Sequence, residues 1–94
     1  MNAILKIHEK DNVGTCLRLV NAHEILDLGG MKLEAKESIP QYHKIALTDI
    51  LPHHPIIKYG QRIGLATKEI RQGSHVHIHN IESTRGRGDK KEGY

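Results

Sequence analysis

The segment HVHIHN, residues 75–80, sets His75, His77 and His79 at every second position. In a strand, alternate side chains leave opposite faces, so these three imidazoles would share one side while Val76 and Ile78 share the other. Imidazole titrates near neutrality, so such a row can exchange protons, bind carboxylate oxygens or ligate a metal. Neighbours two apart lie about 6.6–7 Å from each other along a strand, near enough for two rings to converge on one ion. Positions four apart are about 13 Å away, so all three cannot share an ion without a bulge. The metal reading is therefore a pair, His77 and His79, completed by groups from a partner. The competing reading is a polar strand face, exposed to water or packed on another subunit.

A second candidate is His43 with Lys44, because an ammonium beside an imidazole suits a substrate carboxylate; ordinary surface is its alternative. His53 and His54, between Pro52 and Pro55, read as turn residues. Arg85 and Arg87 could grip a carboxylate in the two-pronged guanidinium manner, although glycine-flanked arginines are commonly just solvated. Asn80 ends the histidine run, where its amide can satisfy turn backbone. Cys16 is the only cysteine. It excludes an intrachain disulfide and reads as a small buried filler.

Strands must position these groups. ILKIH (4–8), MKLEA (31–35), PIIKYG (55–60) and SHVHIHNI (74–81) are short alternating or β-branched runs bounded by turn residues, and no helical period persists for ten residues. Gly29-Gly30 and Tyr59-Gly60 punctuate turns. An internal echo adds more: CLRLVNAHEIL (16–26), ALTDILPHHPI (46–56) and ATKEIRQGSHV (66–76) superpose without gaps. Each begins with a small residue, has Val20, Ile50 or Ile70 at its fifth place, then bends and ends on Leu26, Ile56 or Val76. That describes a corner that plants one aliphatic residue and launches a strand. Residues 1–81 are thus expected to form one domain, and 82–94, which lack aliphatic residues, a tail or linker stump.

The composition narrows the function. With 94 residues, no Phe, no Trp and three Tyr, the chain can hide only about 60–70 % of its surface on folding. A large enclosed active site is not expected, whereas a partner or second copy finishing one face is. A charge of +3 without a basic stripe or interleaved aromatic residues argues against nucleic-acid binding. No apolar run approaches the roughly 18 residues of a membrane span, and the start lacks signal-peptide character, so a cytoplasmic protein is expected.

Four blocks, DNVGTCLRLV (11–20), HKIALTDI (43–50), IIKYGQRIGLATKEI (56–70) and GSHVHIHNIESTRGRGD (73–89), resemble the SAF domain of altronate and galactarate dehydratases. This domain also occurs as the small alpha subunit of sulfolactate sulfo-lyase. The resemblance covers roughly residues 9–89. It implies a mainly β fold, a β-clip of short bent hairpins with one or two short helical turns. It also implies a large catalytic partner that dehydrates sugar acids with a divalent metal, Fe2+ or Mn2+, which belongs to the assembled enzyme and is not expected to bind tightly to this chain alone. In that frame His43, Lys44 and His77 would be catalytic, and His75, His79, Arg85 and Arg87 would contact substrate. Because the chain ends soon after Asp89, the resemblance suggests a separate small subunit or a first domain, inactive alone. The pattern departs at Tyr42, where the family has glycine, and at His23-Glu24 and His53-His54, where it has Gly-Glu. A sulfo-lyase small subunit and a non-catalytic module that binds sugar acids or proteins are the rival functions.

Overall fold

The computed structural model describes residues 3–83. Nine short strands carry the fold: β1 (Ile4–Leu5), β2 (Val13–Cys16), β3 (Ile25–Leu28), β4 (Met31–Glu34), β5 (Lys44–Ala46), β6 (Pro55–Lys58), β7 (Gln61–Ala66), β8 (His75–Val76) and β9 (Ile81–Ser83). They form an antiparallel sheet in the order β1-β2-β5-β8, a β3-β4 hairpin and a sheet in the order β6-β7-β9. The domain is mainly β, as a β-clip requires. Among the described residues no helical turn occurs, so the helical turns anticipated from the resemblance are tight turns instead. Among the described residues no helix is long and apolar enough to cross a membrane.

The corner repeat is fourfold, because 35–45 joins the three segments visible in the sequence. The first places are small and buried: Cys16, Ala35, Ala46 and Ala66. The fifth places are Val20, Ile39, Ile50 and Ile70, and the eleventh Leu26, Ile45, Ile56 and Val76, all buried. At the eighth place the backbone turns left-handed: φ is 71° at His23, 70° at Tyr42, 68° at His53 and 91° at Gly73. A bond from the ninth residue's N–H to the sixth residue's carbonyl closes each bend, at 3.0–3.1 Å from Glu24, His43, His54 and Ser74. Positive φ at the third turn residue alone is the type II pattern, which favours glycine there. The glycines that the resemblance implies at positions 42, 23 and 53 would suit this conformation.

Corners clasp in reciprocal pairs. His23 N–H donates to the Ala35 carbonyl at 2.7 Å and Tyr42 N–H to the Cys16 carbonyl at 2.6 Å, while Val20 and Ile39 bridge. In the second pair, Gly73 N–H donates to the Ala46 carbonyl at 2.9 Å, His53 N–H to the Ala66 carbonyl at 2.8 Å, and Ile50 bridges Ile70. The Gln41 amide reaches the Leu17 carbonyl at 3.1 Å, and Gln72 repeats this on Leu47 at 3.0 Å. Each clasp fills its own core. Cys16, Val20, Leu26, Ala35, Ile39 and Ile45 meet in one, and Ala46, Ile50, Ile56, Ala66, Ile70 and Val76 in the other. Burying such an aliphatic side chain contributes about 1.5–3 kcal/mol.

Residues 16–45 and 46–76 are therefore two copies of one unit: corner, hairpin, corner. Both hairpins turn through two residues of positive φ, Gly29-Gly30 and Tyr59-Gly60, the form that matches strand twist. The second hairpin is one residue longer. Ile56 faces Gly64 but Ile57 faces Arg62, so Ile63 bulges. The units join at β5, which pairs β2 through Val13↔Ala46 and β8 through Ile45↔His75, giving extents of 45 × 22 × 21 Å.

Two expected strands are shorter than the sequence suggests. Of ILKIH only Ile4–Leu5 pairs, because the Asp11 carboxylate takes the His8 N–H at 3.0 Å and bends the chain. SHVHIHNI is not one strand. β8 stops at Val76, residues 77–80 form a turn, and β9 begins at Ile81. Because β9 pairs with β7 as far as Ser83, the folded domain passes the expected boundary at Ile81. The rest of the expected tail, including Arg85 and Arg87, lies outside the described residues.

Candidate functional site

Asn80 decides the local geometry. Its side chain accepts the His77 N–H at 3.0 Å and donates to the His75 carbonyl at 2.8 Å, while its own N–H donates to the His77 carbonyl at 3.1 Å. Side-chain bonds of this kind compete with a sheet ladder, so the chain curls after Val76. Ile78, expected beside buried Val76, is consequently 81 % exposed. The three histidines of the run do not line one strand face.

The curl folds His77 back toward His43, which precedes β5 on the neighbouring strand. The His43 and His77 rings stack with centroids 4.2 Å apart and planes 19° apart. His43 Nδ1 lies 2.8 Å from His75 Nε2, a hydrogen bond in which one nitrogen donates and the other accepts. His75 and His77 centroids are 5.4 Å apart. One ring nitrogen from each of His43, His75 and His77 falls within 4.8 Å of the other two. His79 is exposed and stands to one side, its ring 5.1 Å from that of His75. The predicted metal pair is thus divided: His77 joins this group, His79 does not, and His43 and His75 take the remaining places.

Electrostatics favour the uncharged forms of His75 and His77. Burial, then the neighbouring His79, His43 and His77, hold the His75 pKa below the ordinary 6.5, against a smaller opposing pull from Glu37. Loss of hydration, then His43, Lys44 and His79, lower His77 likewise. Burial and then Lys58 make the Lys44 ammonium easier to deprotonate. The Glu37 carboxylate accepts the His75 N–H at 3.1 Å, a contact that no motif announces. Neutral imidazoles clustered at a partly exposed edge can accept protons, pass one between His43 and His75, or donate lone pairs to a cation.

The other candidates are structural. His53 occupies a left-handed corner, and Asn80 is only 4 % exposed. Cys16 is fully buried, and burial foremost pushes its thiol up to about 11. It stays protonated and cannot serve as a nucleophile at neutral pH.

The model of the altronate/galactarate dehydratase SAF domain matches residues 2–84. Altronate dehydratase of Bacillus subtilis (strain 168) is 41 % identical over 88 % of this chain and 17 % of its own length. The (2R)-sulfolactate sulfo-lyase subunit alpha of Chromohalobacter salexigens is 42 % identical over 58 % of this chain and 58 % of its own. That of Paracoccus pantotrophus is 37 % identical over 63 % of this chain and 88 % of its own. The chain thus spans only about a sixth of the dehydratase and just over half of the first sulfo-lyase subunit.

Proposed function

The chain belongs to the altronate/galactarate dehydratase SAF domain family, and from that premise we propose that it is the SAF part of a sugar-acid hydro-lyase. In this reading it completes or covers a site on a much larger catalytic unit and is inactive alone. The supporting observation is the cluster of His43, His75 and His77, with Lys44 alongside, at one partly exposed edge of the domain.

Elimination of water breaks a C–H bond beside the substrate carboxylate and a C–O bond on the next carbon. It needs a group that takes the first proton and one that delivers a proton to the departing hydroxide. Neutral His77 can accept a proton on its free ring nitrogen, and the His43–His75 bond can store and return one. Lys44, when charged, can pair with the carboxylate, and in this reading His79 would touch substrate at the rim.

A divalent metal, iron or manganese, belongs to the proposal. Bound here, it would be held by His43, His75 and His77 in place of the proton-handling roles just given, and it would polarise the leaving oxygen. An all-imidazole donor set suits iron better than manganese, which prefers oxygen ligands.

The test is to mix the purified chain with a lyase-like large subunit sought among the genes beside its own, and to assay altronate and galactarate. A complex that gains dehydratase activity, and loses at least about 100-fold of it in His43→Ala or His77→Ala, is expected. No complex and no activity would overturn the proposal. A second reading, the small subunit of a sulfolactate sulfo-lyase, is favoured by the short relatives, one of which this chain covers for 88 % of its length. Sulfite release from sulfolactate by the same mixture distinguishes it.

A further inference from the structure

We infer that this chain by itself binds one divalent transition-metal ion through His43, His75 and His77, leaving coordination positions open toward the exterior. The inference deepens the reading above and rests on it only for the ion's role in the reaction.

The geometry carries it. A metal bonded to three imidazoles at about 2.0–2.1 Å separates the ligand nitrogens by roughly 3.0–3.5 Å. The three nitrogens here lie within 4.8 Å of one another, with the His43–His75 pair already at 2.8 Å. An ion would part the close pair slightly and draw the third ring in by about an ångström. The three are partly exposed and can rotate that far. Their backbones are held more firmly: Ile45↔His75 pairing fixes β5 against β8, and Asn80 fixes the turn that carries His77. Stacking holds the His43 and His77 rings side by side, and each ring would turn out of the stack to aim its in-plane lone pair at a shared ion.

The donor set also indicates which further ligand a bound ion would accept. Three protein ligands with a free fourth position is the pattern of catalytic rather than structural sites. No carboxylate belongs to the group, so the bound ion would keep its positive charge for an anionic oxygen ligand. An α-hydroxy carboxylate, which offers two oxygens, suits such an ion. Nickel, cobalt, zinc and ferrous ions suit imidazole, whereas magnesium and calcium do not.

Tag-free full-length chain, stripped with a chelator, should be titrated with Co2+ while visible absorption is recorded, and with Zn2+ by calorimetry. Saturation at one ion per chain is expected, with an intense Co2+ band. His43→Ala, His75→Ala and His77→Ala should each weaken binding at least ~10-fold. His79→Ala and the double variant His53→Ala/His54→Ala should stay within about threefold. Asparagine variants at the three positions and thermal melting guard against misfolding as the cause. No saturable binding below about a millimolar, or binding lost in the His53/His54 variant and kept in the other three, overturns the inference. The mixing experiment reads separately: an active complex whose isolated small chain binds no ion removes this inference and leaves the functional proposal standing. Binding without activity does the reverse.

Discussion

At the scale of single residues, the lowered imidazoles have a consequence for stability. A histidine whose pKa falls on folding takes up its proton more readily in the unfolded chain, so below the ordinary 6.5 the unfolded state binds more protons. Stability should be flat above about pH 7.5 and decline as the pH falls through 6.5 toward the lowered folded values. The groups facing these rings are His43, His79, Lys44 and Glu37. Melting temperatures between about pH 7.5 and 5 should therefore fall, and His75→Gln or His77→Gln should flatten the slope. An unchanged slope in both variants would place the titration elsewhere. Asn80→Ala removes two hydrogen bonds made by a buried side chain and should cost about 1–3 kcal/mol, read as a melting temperature lower by several degrees. It should also weaken Co2+ binding, because His77 loses its anchor. The alternation of histidines is legible in the sequence, but their arrangement is not: Asn80 bends the chain in the middle of the pattern. His43 joins His75 through a strand pairing across distant sequence, which no local spacing encodes.

At the scale of elements, the corner is where sequence and structure agree best. Three of the four copies are visible because small, aliphatic and aliphatic residues recur at fixed places. Ala35–Ile45 is hidden because MKLEA reads as a strand that ends at Ala35, and Pro40 disguises the bend. The eighth place explains which side chains are strained. Gly73 has φ of 91°, and an added Cβ would strike the Glu34 carbonyl oxygen. Gly73→Ala should cost more than about 2 kcal/mol in chemical denaturation. His53, at φ 68° and exposed, is the converse case. A left-handed non-glycine residue costs about 1–2 kcal/mol, partly offset by the greater freedom of glycine when unfolded. His53→Gly should therefore raise stability by roughly 0.5–1 kcal/mol, with Co2+ binding unchanged; a loss of stability would contradict the strain argument.

At the scale of the whole molecule, two small cores lie end to end in a body 45 Å long. Elongation would let the halves melt separately, yet β5 spans the junction between the units, and it pairs with β2, which leads into the first unit, and with β8 of the second. The shared strand should win. Ile39→Ala in one core and Ile70→Ala in the other should each cost about 2–5 kcal/mol. In native-state hydrogen exchange, either substitution should release protected amides of both units together. If Ile70→Ala frees only residues 46–76, the halves are independent. A mainly β, single-domain chain with a thin aliphatic interior follows from composition and strand pattern. The pairing of corners into two clasps does not, because reciprocal backbone bonds are made by carbonyls and amides that every sequence possesses.

The doubling of the scaffold is not matched by a doubling of its chemistry. In the second unit the counterpart of His43 is Ser74 and that of Lys44 is His75, so neither copy repeats the other's reactive side chains. Each unit by itself holds only one of the three imidazoles, since His43 lies in the first copy, His75 in the second and His77 in the curl after it. Whatever the domain does with those rings therefore draws on both copies at once, through the one strand that joins them.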